Sequence, residues 1–279
     1  MRAQDEEPDF IAVDNPAGGA PWRLARRRRR ATGSGDGGPG LVWLGGFASD
    51  MASTKADYLD AFAGARGRAF LRFDYSGHGK SEGRFEDGCI GDWLAQAAGA
   101  FDQSTKGPQI VVGSSMGGWL ALLLARRLAE KGESDRLAGL VLLAPAVDFT
   151  EELIWRNLDD ATRRDIMEKG AWRRPSQYSP DPTPITRRLI EDGRDHLLLG
   201  GVIRAHARVH ILQGMADPDV PWRHALTLVE HLSADPVTLT FIVDGDHRLS
   251  RDEDLARLGA AVELMSAPPR GEAPRDLFS

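Results

Sequence analysis

The chain has 279 residues, enough for one large domain with a well-buried core or for a domain carrying a sizeable insertion. Its 42% apolar and 27% charged residues are ordinary globular proportions and exclude disorder of the whole chain. A formal net charge of −6 argues against nucleic acid as the main partner, and the single cysteine, Cys89, excludes an internal disulfide and any cysteine-cluster metal site.

The opening MRAQDEEPDF is acidic and lacks an apolar h-region, which predicts neither a secretory signal nor a transit peptide. The longest apolar runs, WLALLLA and LAGLVLLAPAV, fall far short of the ~20 residues that span a bilayer. The expectation is a soluble, cytoplasmic protein with no membrane span. Short β-rich runs then alternate with longer helical stretches, predicting an α/β fold with about eight mostly parallel strands. The candidate strands are Asp9–Val13, Trp22–Arg28, Leu41–Gly45, Ala69–Phe73, Gln109–Gly113, Gly139–Pro145, Val209–Gly214 and Val237–Val243. Several are apolar almost throughout, as strands covered on both faces should be. In the last helix Leu255, Leu258, Val262 and Met265 form one stripe.

Two stretches break the alternation. Residues 31–40, ATGSGDGGPG, read as a flexible loop joining the first two strands to the rest. Residues 148–207 contain no clear strand and hold helices interrupted by prolines, which predicts an inserted helical cap on a single domain of residues 1–279. Residues 267–279 read as a mobile tail. The arginine run Arg26–Arg30 offers a polyanion contact, but in so acidic a chain it reads better as an edge hairpin strand whose charges discourage edge-to-edge pairing.

The segment IVVGSSMGGWL, residues 110–120, carries the first sign of chemistry. A nucleophile elbow turns so sharply from strand to helix that small residues are needed two positions before and after the nucleophile. Centring on Ser115 places Gly113 and Gly117 there, whereas centring on Ser114 would place Val112 and Met116. Ser115 is therefore the candidate nucleophile. The N-terminus of the following helix favours an oxyanion, and the N–H groups of Met116 and of Phe47, in the Gly45-Gly46-Phe47 turn, are the candidate oxyanion hole.

A base and an acid should follow in chain order. Among the histidines, His78 precedes Ser115 and is set aside. His196, His206, His210, His224 and His231 fall in the cap, the segment leaving it, a strand or a helix. His247 lies between the last strand and the last helix, where a base belongs. Asp217 and Asp219 both lie on the loop after Val209–Gly214 as candidates for the acid, and spacing does not separate them. Asp219 would also suit the N-cap of the helix that follows.

The strings GSSMGG, RFDYSGHGKS, GMADPDVP and GDHRLS resemble the α/β-hydrolase superfamily over nearly the whole chain. More narrowly, RFDYSGHGKSEG, GPQIVVGSSMGGWL, EKGAWRRPSQYS and DPDVPW are similar to the family of mitochondrial palmitoyl-protein thioesterases that also cleave mycophenolic acid acyl-glucuronide, and to its bacterial relatives. The resemblance implies an α/β-hydrolase fold, Ser115 as nucleophile, His247 as base and, from the pattern G-x-x-D-x-x-V-P, Asp217 as acid. Gly45-Gly46 stands where such families more often have His-Gly, and no family pattern accounts for the arginine run or for Lys55. The implied reaction is hydrolysis of a carboxylic ester or thioester through an acyl-enzyme, without metal or organic cofactor, on a small-molecule or acylated substrate. Trp155, Trp172 and Tyr178 of the cap are candidate substrate contacts. The alternatives are an acyltransferase and a non-catalytic ligand-binding protein on the same fold.

Overall fold

The β-rich runs assemble into one sheet in the computed structural model of the protein, which describes residues 7–32, 38–175 and 180–266. The strands are β1 (Asp9–Val13), β2 (Trp22–Arg29), β3 (Gly40–Leu44), β4 (Phe70–Phe73), β5 (Gln109–Ser114), β6 (Leu137–Leu143), β7 (Ala171–Arg174), β8 (Thr183–Thr186), β9 (Val209–Gly214) and β10 (Val237–Ile242). Eight of them form the main sheet in the order β1-β2-β4-β3-β5-β6-β9-β10. β2 is antiparallel to both of its neighbours, and from β4 to β10 every pairing is parallel.

Parallel strands need helical crossovers, and these cover both faces of the sheet. The helices are α1 (Thr54–Ala65), α2 (Ile90–Ser104), α3 (Met116–Glu130), α4 (Asp160–Lys169), α5 (Arg187–Arg194), α6 (Trp222–His231) and α7 (Asp252–Ser266). Alternate residues of one strand therefore enter two different cores. Val42, Leu44 and Val111 pack with Trp93, Phe101, Trp119 and Leu120 of α2 and α3. Leu41, Trp43, Ile110 and Val112 pack with Leu59 of α1 and with Leu258, Val262 and Met265 of α7. The stripe expected on the last helix is buried as a unit, Leu255 included.

The arginine run departs from expectation. β2 is flanked by β1 and β4, so its charges guard no edge; the edge strands of this sheet are β1 and β10. The side chains leave on alternate faces, and two of them pair with acids. Arg26 reaches Asp9 at 2.9 Å and Arg29 reaches Asp60 of α1 at 2.8 Å. The remainder of the 31–40 loop prediction falls partly on residues 33–37, and the predicted tail on residues 267–279, both outside the described residues.

Between β6 and β9 the chain makes a long excursion containing α4, α5 and, contrary to expectation, an antiparallel hairpin of β7 and β8. Its two four-residue strands are too short, and too interrupted by Pro184, to show a period in sequence. Pairing brings Trp172 opposite Ile185, which is fully buried. One buried side chain links the two ends of the excursion. Asp148, 1% exposed, accepts the backbone N–H groups of Leu198 (2.9 Å) and Leu199 (2.8 Å). Burial raises its carboxyl to about pH 6, offset in part by those two bonds.

Asp148→Ala would strand both donors and leave an alanine at φ 56°, so urea unfolding should show a loss of about 2–4 kcal/mol. Asp148→Asn keeps an acceptor and tolerates that backbone, and should lose less. Equal losses in the two variants would mean that the carboxylate bonds do not hold the excursion's two ends together.

Candidate active site

β5 ends at Ser114 and α3 begins at Met116, so Ser115 alone turns the chain from strand to helix. Its φ of 55° is a conformation that L-residues rarely adopt. The turn closes only because the flanking positions lack Cβ atoms. A Cβ on Gly113 would lie 2.3 Å from the Gly117 carbonyl oxygen, and one on Gly117 would lie 2.0 Å from that of Leu44. The Ser115 N–H donates to the Leu143 oxygen (2.9 Å), and the Ala146 N–H donates to the Ser115 oxygen (3.1 Å), tying the turn to the end of β6. Ser115 is partly exposed, while Ser114 is buried in the strand. The N–H of Met116 belongs to the first turn of α3, whose amides have no intrahelical acceptor.

β3 runs beside β5 with Leu44 opposite Gly113, which delivers the Gly45-Gly46-Phe47 turn to the same end of the sheet. A Cβ on Gly46 would be 3.4 Å from the Ser115 Cβ, so the backbone just before Phe47 lies against the serine side chain. The Phe47 ring packs on Phe85 (4.9 Å between centroids), Phe149 (5.4 Å) and Trp93 (5.9 Å). These aromatic neighbours come from three separate segments, and no local pattern in the sequence announces them.

Asp217 and His247 meet across the loops after β9 and β10. The carboxylate is a preorganised acceptor. Its Oδ1 takes the N–H groups of Asp219 (2.8 Å) and Val220 (2.9 Å), and its Oδ2 lies 2.8 Å from His247 Nδ1. The Asp217 side chain has no exposed area, while that of His247 keeps 17%. Gln213 Nε2, bonded to the Gly214 and Val220 carbonyls, supports the same loop from beneath. Asp219 lies 3.9 Å from Arg174, and α6 is capped at Pro221 without a side-chain bond, so the capping role considered for Asp219 is not taken up. His210, His224 and His231 engage Thr240, the Val147 carbonyl and the Gly201 carbonyl respectively.

Asp217, Asp219 and His247 each offer a donor atom within 4.8 Å of the others, a spacing a metal ion could use. Both oxygens of Asp217 already accept hydrogen bonds, so a cation there would have to displace the His247 contact. The donor chemistry fits proton transfer better.

The expected cap contacts have different surroundings. Trp155 lies between the guanidinium groups of Arg194 (4.8 Å) and Arg163 (5.6 Å), and Trp172 packs on the core from β7. Tyr178 lies outside the described residues. A cleft of about 470 Å³ opens instead between Ala48, Arg84 to Glu86 and residues 181–184 of the hairpin. A larger cavity, about 620 Å³, lies between α3 and residues 197–206, and neither it nor the smaller cleft is lined by Ser115, Asp217 or His247.

Lys55, for which the sequence suggested no role, is 9% exposed on α1 and donates to the Arg248 carbonyl, one residue beyond His247. Its ammonium group faces Asp246 and Asp254, with Arg248 opposing, and burial lowers it to about pH 8. No sequence period marks it, because its partner lies 193 residues away.

A model of the Alpha/beta hydrolase family matches residues 33–272. Palmitoyl-protein thioesterase ABHD10, mitochondrial, of Bos taurus is 34% identical over 226 residues, covering 81% of this chain and 72% of its own. Among solved structures, a putative hydrolase from Agrobacterium vitis S4 is 46% identical with a TM-score of 0.88, covering 94% of this chain and 99% of that one. Alpha/beta hydrolase domain-containing protein 10 from mouse is 29% identical with a TM-score of 0.79, covering 92% and 98%. Among the described residues no helix is long and apolar enough to cross a membrane.

Between pH 8 in the folded state and 10.5 in the unfolded state, the unfolded chain holds a proton on Lys55 that the folded chain has released, so this group's contribution to stability rises with pH across that window. Lys55→Met lacks the effect. The difference in unfolding free energy should move toward the wild type by about 3 kcal/mol across the window. A flat difference would show that the ammonium is not desolvated.

Proposed function

The chain belongs to the α/β-hydrolase family, and we propose that within it the protein is a serine hydrolase of acyl esters and thioesters, working through an acyl-enzyme. The observation that carries this reading is the strained Ser115 turn with the backbone of Gly46 pressed against its side chain. A serine held in that conformation at a helix N-terminus is costly to fold and has a clear chemical use.

His247 takes the Ser115 Oγ proton on Nε2 as the oxygen attacks the acyl carbonyl. Its Nδ1–H stays on Asp217, which stabilises the imidazolium. The tetrahedral oxygen accepts the N–H groups of Phe47 and Met116. Collapse expels the thiol or alcohol, which leaves with the proton from His247. Water then gives its proton to His247 and attacks the acyl-enzyme, and Ser115 regains its hydrogen as the acid departs.

Phe47, which follows the Gly46 backbone set against the serine and packs its ring on Phe149, supplies an apolar wall suited to an acyl chain. We read residues 148–207 as an inserted cap whose residues 181–184 face Ala48, the neighbour of Phe47, across the 470 Å³ cleft. The thioesterase named among the relatives supports an S-acyl substrate, and so favours a thiol leaving group.

A fluorophosphonate probe should label the wild type and not Ser115→Ala. Turnover should fall at least about 10³-fold in Ser115→Ala and stay within about threefold in Ser114→Ala. The reverse pattern would overturn the assignment of the nucleophile. Across p-nitrophenyl esters, acyl thioesters and acyl-glucuronides, S-acyl substrates should be turned over. Turnover of short esters with every thioester inert would leave a general esterase.

A further inference from the structure

We propose that His78, through Nε2, is the positioning residue of the Gly45–Asp50 loop, accepting the Ala48 N–H and so aiming the preceding Phe47 amide at the substrate oxygen. The inference rests on the serine-hydrolase reading above and extends it to a residue outside the Ser115, Asp217 and His247 set.

The tautomer follows from the partners. The Ala48 N–H can only donate, and it lies 3.2 Å from His78 Nε2. The Ser76 carbonyl can only accept, and it lies 3.2 Å from His78 Nδ1. The proton is therefore on Nδ1, and Nε2 presents its lone pair to the loop. The ring is 4% exposed and packed among Phe85 (5.0 Å), Trp93 (5.2 Å) and Tyr75 (5.6 Å). Burial lowers its basicity to about pH 4, so the acceptor persists through neutral pH.

The loop needs such a partner. Ala48 has a φ of 55°, a left-handed conformation that is unfavourable for an alanine. The turn before it closes with the Ser49 N–H on the Gly46 oxygen at 3.2 Å. Its far end is pinned separately, by the Met51 N–H on Asp74 Oδ1 (2.6 Å) and by Arg72 on the Met51 carbonyl (3.1 Å). His78 alone among these side chains bonds the residue that follows Phe47. Phe85 and Trp93 touch both the His78 ring and the Phe47 ring, so imidazole and loop share one wall. A group that fixes a donor aimed at developing charge acts on the transition state more than on substrate binding.

The test compares His78→Phe, which keeps the aromatic packing without an acceptor, with His78→Gln, whose amide oxygen can take the place of Nε2. With a p-nitrophenyl ester, His78→Phe should lower kcat at least about tenfold with KM within about twofold, and His78→Gln should recover most of the loss. Affinity for a trifluoromethyl ketone, which forms a tetrahedral adduct, should fall in step with kcat/KM. Full kcat in His78→Phe, or a folded His78→Gln no better than it, would overturn the proposal. Should His78→Phe fail to fold, imidazole nitrogen NMR of the wild type decides: an unprotonated Nε2 supports the proposal, and a protonated one overturns it. A wild type that neither hydrolyses esters nor takes the fluorophosphonate would instead sink the hydrolase reading, and the tautomer measurement would still report on the loop.

Discussion

The contact on which the rest depends is the approach of the Gly117 backbone to the carbonyls of Leu44 and Gly45. A Cβ there would stand 2.0 Å from one oxygen and 2.7 Å from the other, closer than any side chain permits. That single absence lets α3 start directly over the end of β3. It brings the turn after β3 against Ser115, which holds a φ of 55°. The parallel arrangement of β3, β5, β6 and β9 then sets the spacing at which the loops after β9 and β10 arrive.

Around this core of small residues the site is braced by buried polar groups, each anchored from a different element. Asp74 and Arg72 from β4 and its exit hold Met51, Gln213 stands beneath the Asp217 loop, and Lys55 reaches from α1 to the carbonyl after His247. Such groups are costly to bury and contribute little net stability unless every bond is made. Their concentration under the loops after β3, β9 and β10 is consistent with a scaffold that spends stability on geometry. The arginines of β2 follow a different logic. Paired with Asp9 and Asp60 on opposite faces, they let a charged strand occupy an interior position of the sheet.

Much of this was legible in the chain. The eight main strands were visible because both faces of a parallel sheet are buried, so β3, β5 and β6 read as unbroken apolar runs. The register of the elbow was legible because the steric demand is local, confined to residues 113–117. The β7–β8 hairpin was not, since four-residue strands carry no measurable period and draw their stability from the partner. Nor was the placement of β2, whose composition suggests an edge until the acids that neutralise it are brought in from β1 and α1.

His78 and Lys55 mark the boundary most clearly. Chain order set His78 aside as a base, and no spacing rule joins it to Ala48, 30 residues earlier, or Lys55 to Arg248, 193 residues later. The sequence by itself determined the fold class and the serine able to occupy a crowded turn, because these depend on periodicity and on local sterics. Only the tertiary structure decided which buried side chains brace the loops and which aromatic rings gather around Phe47. Those choices depend on contacts between distant segments, which close only when the sheet assembles.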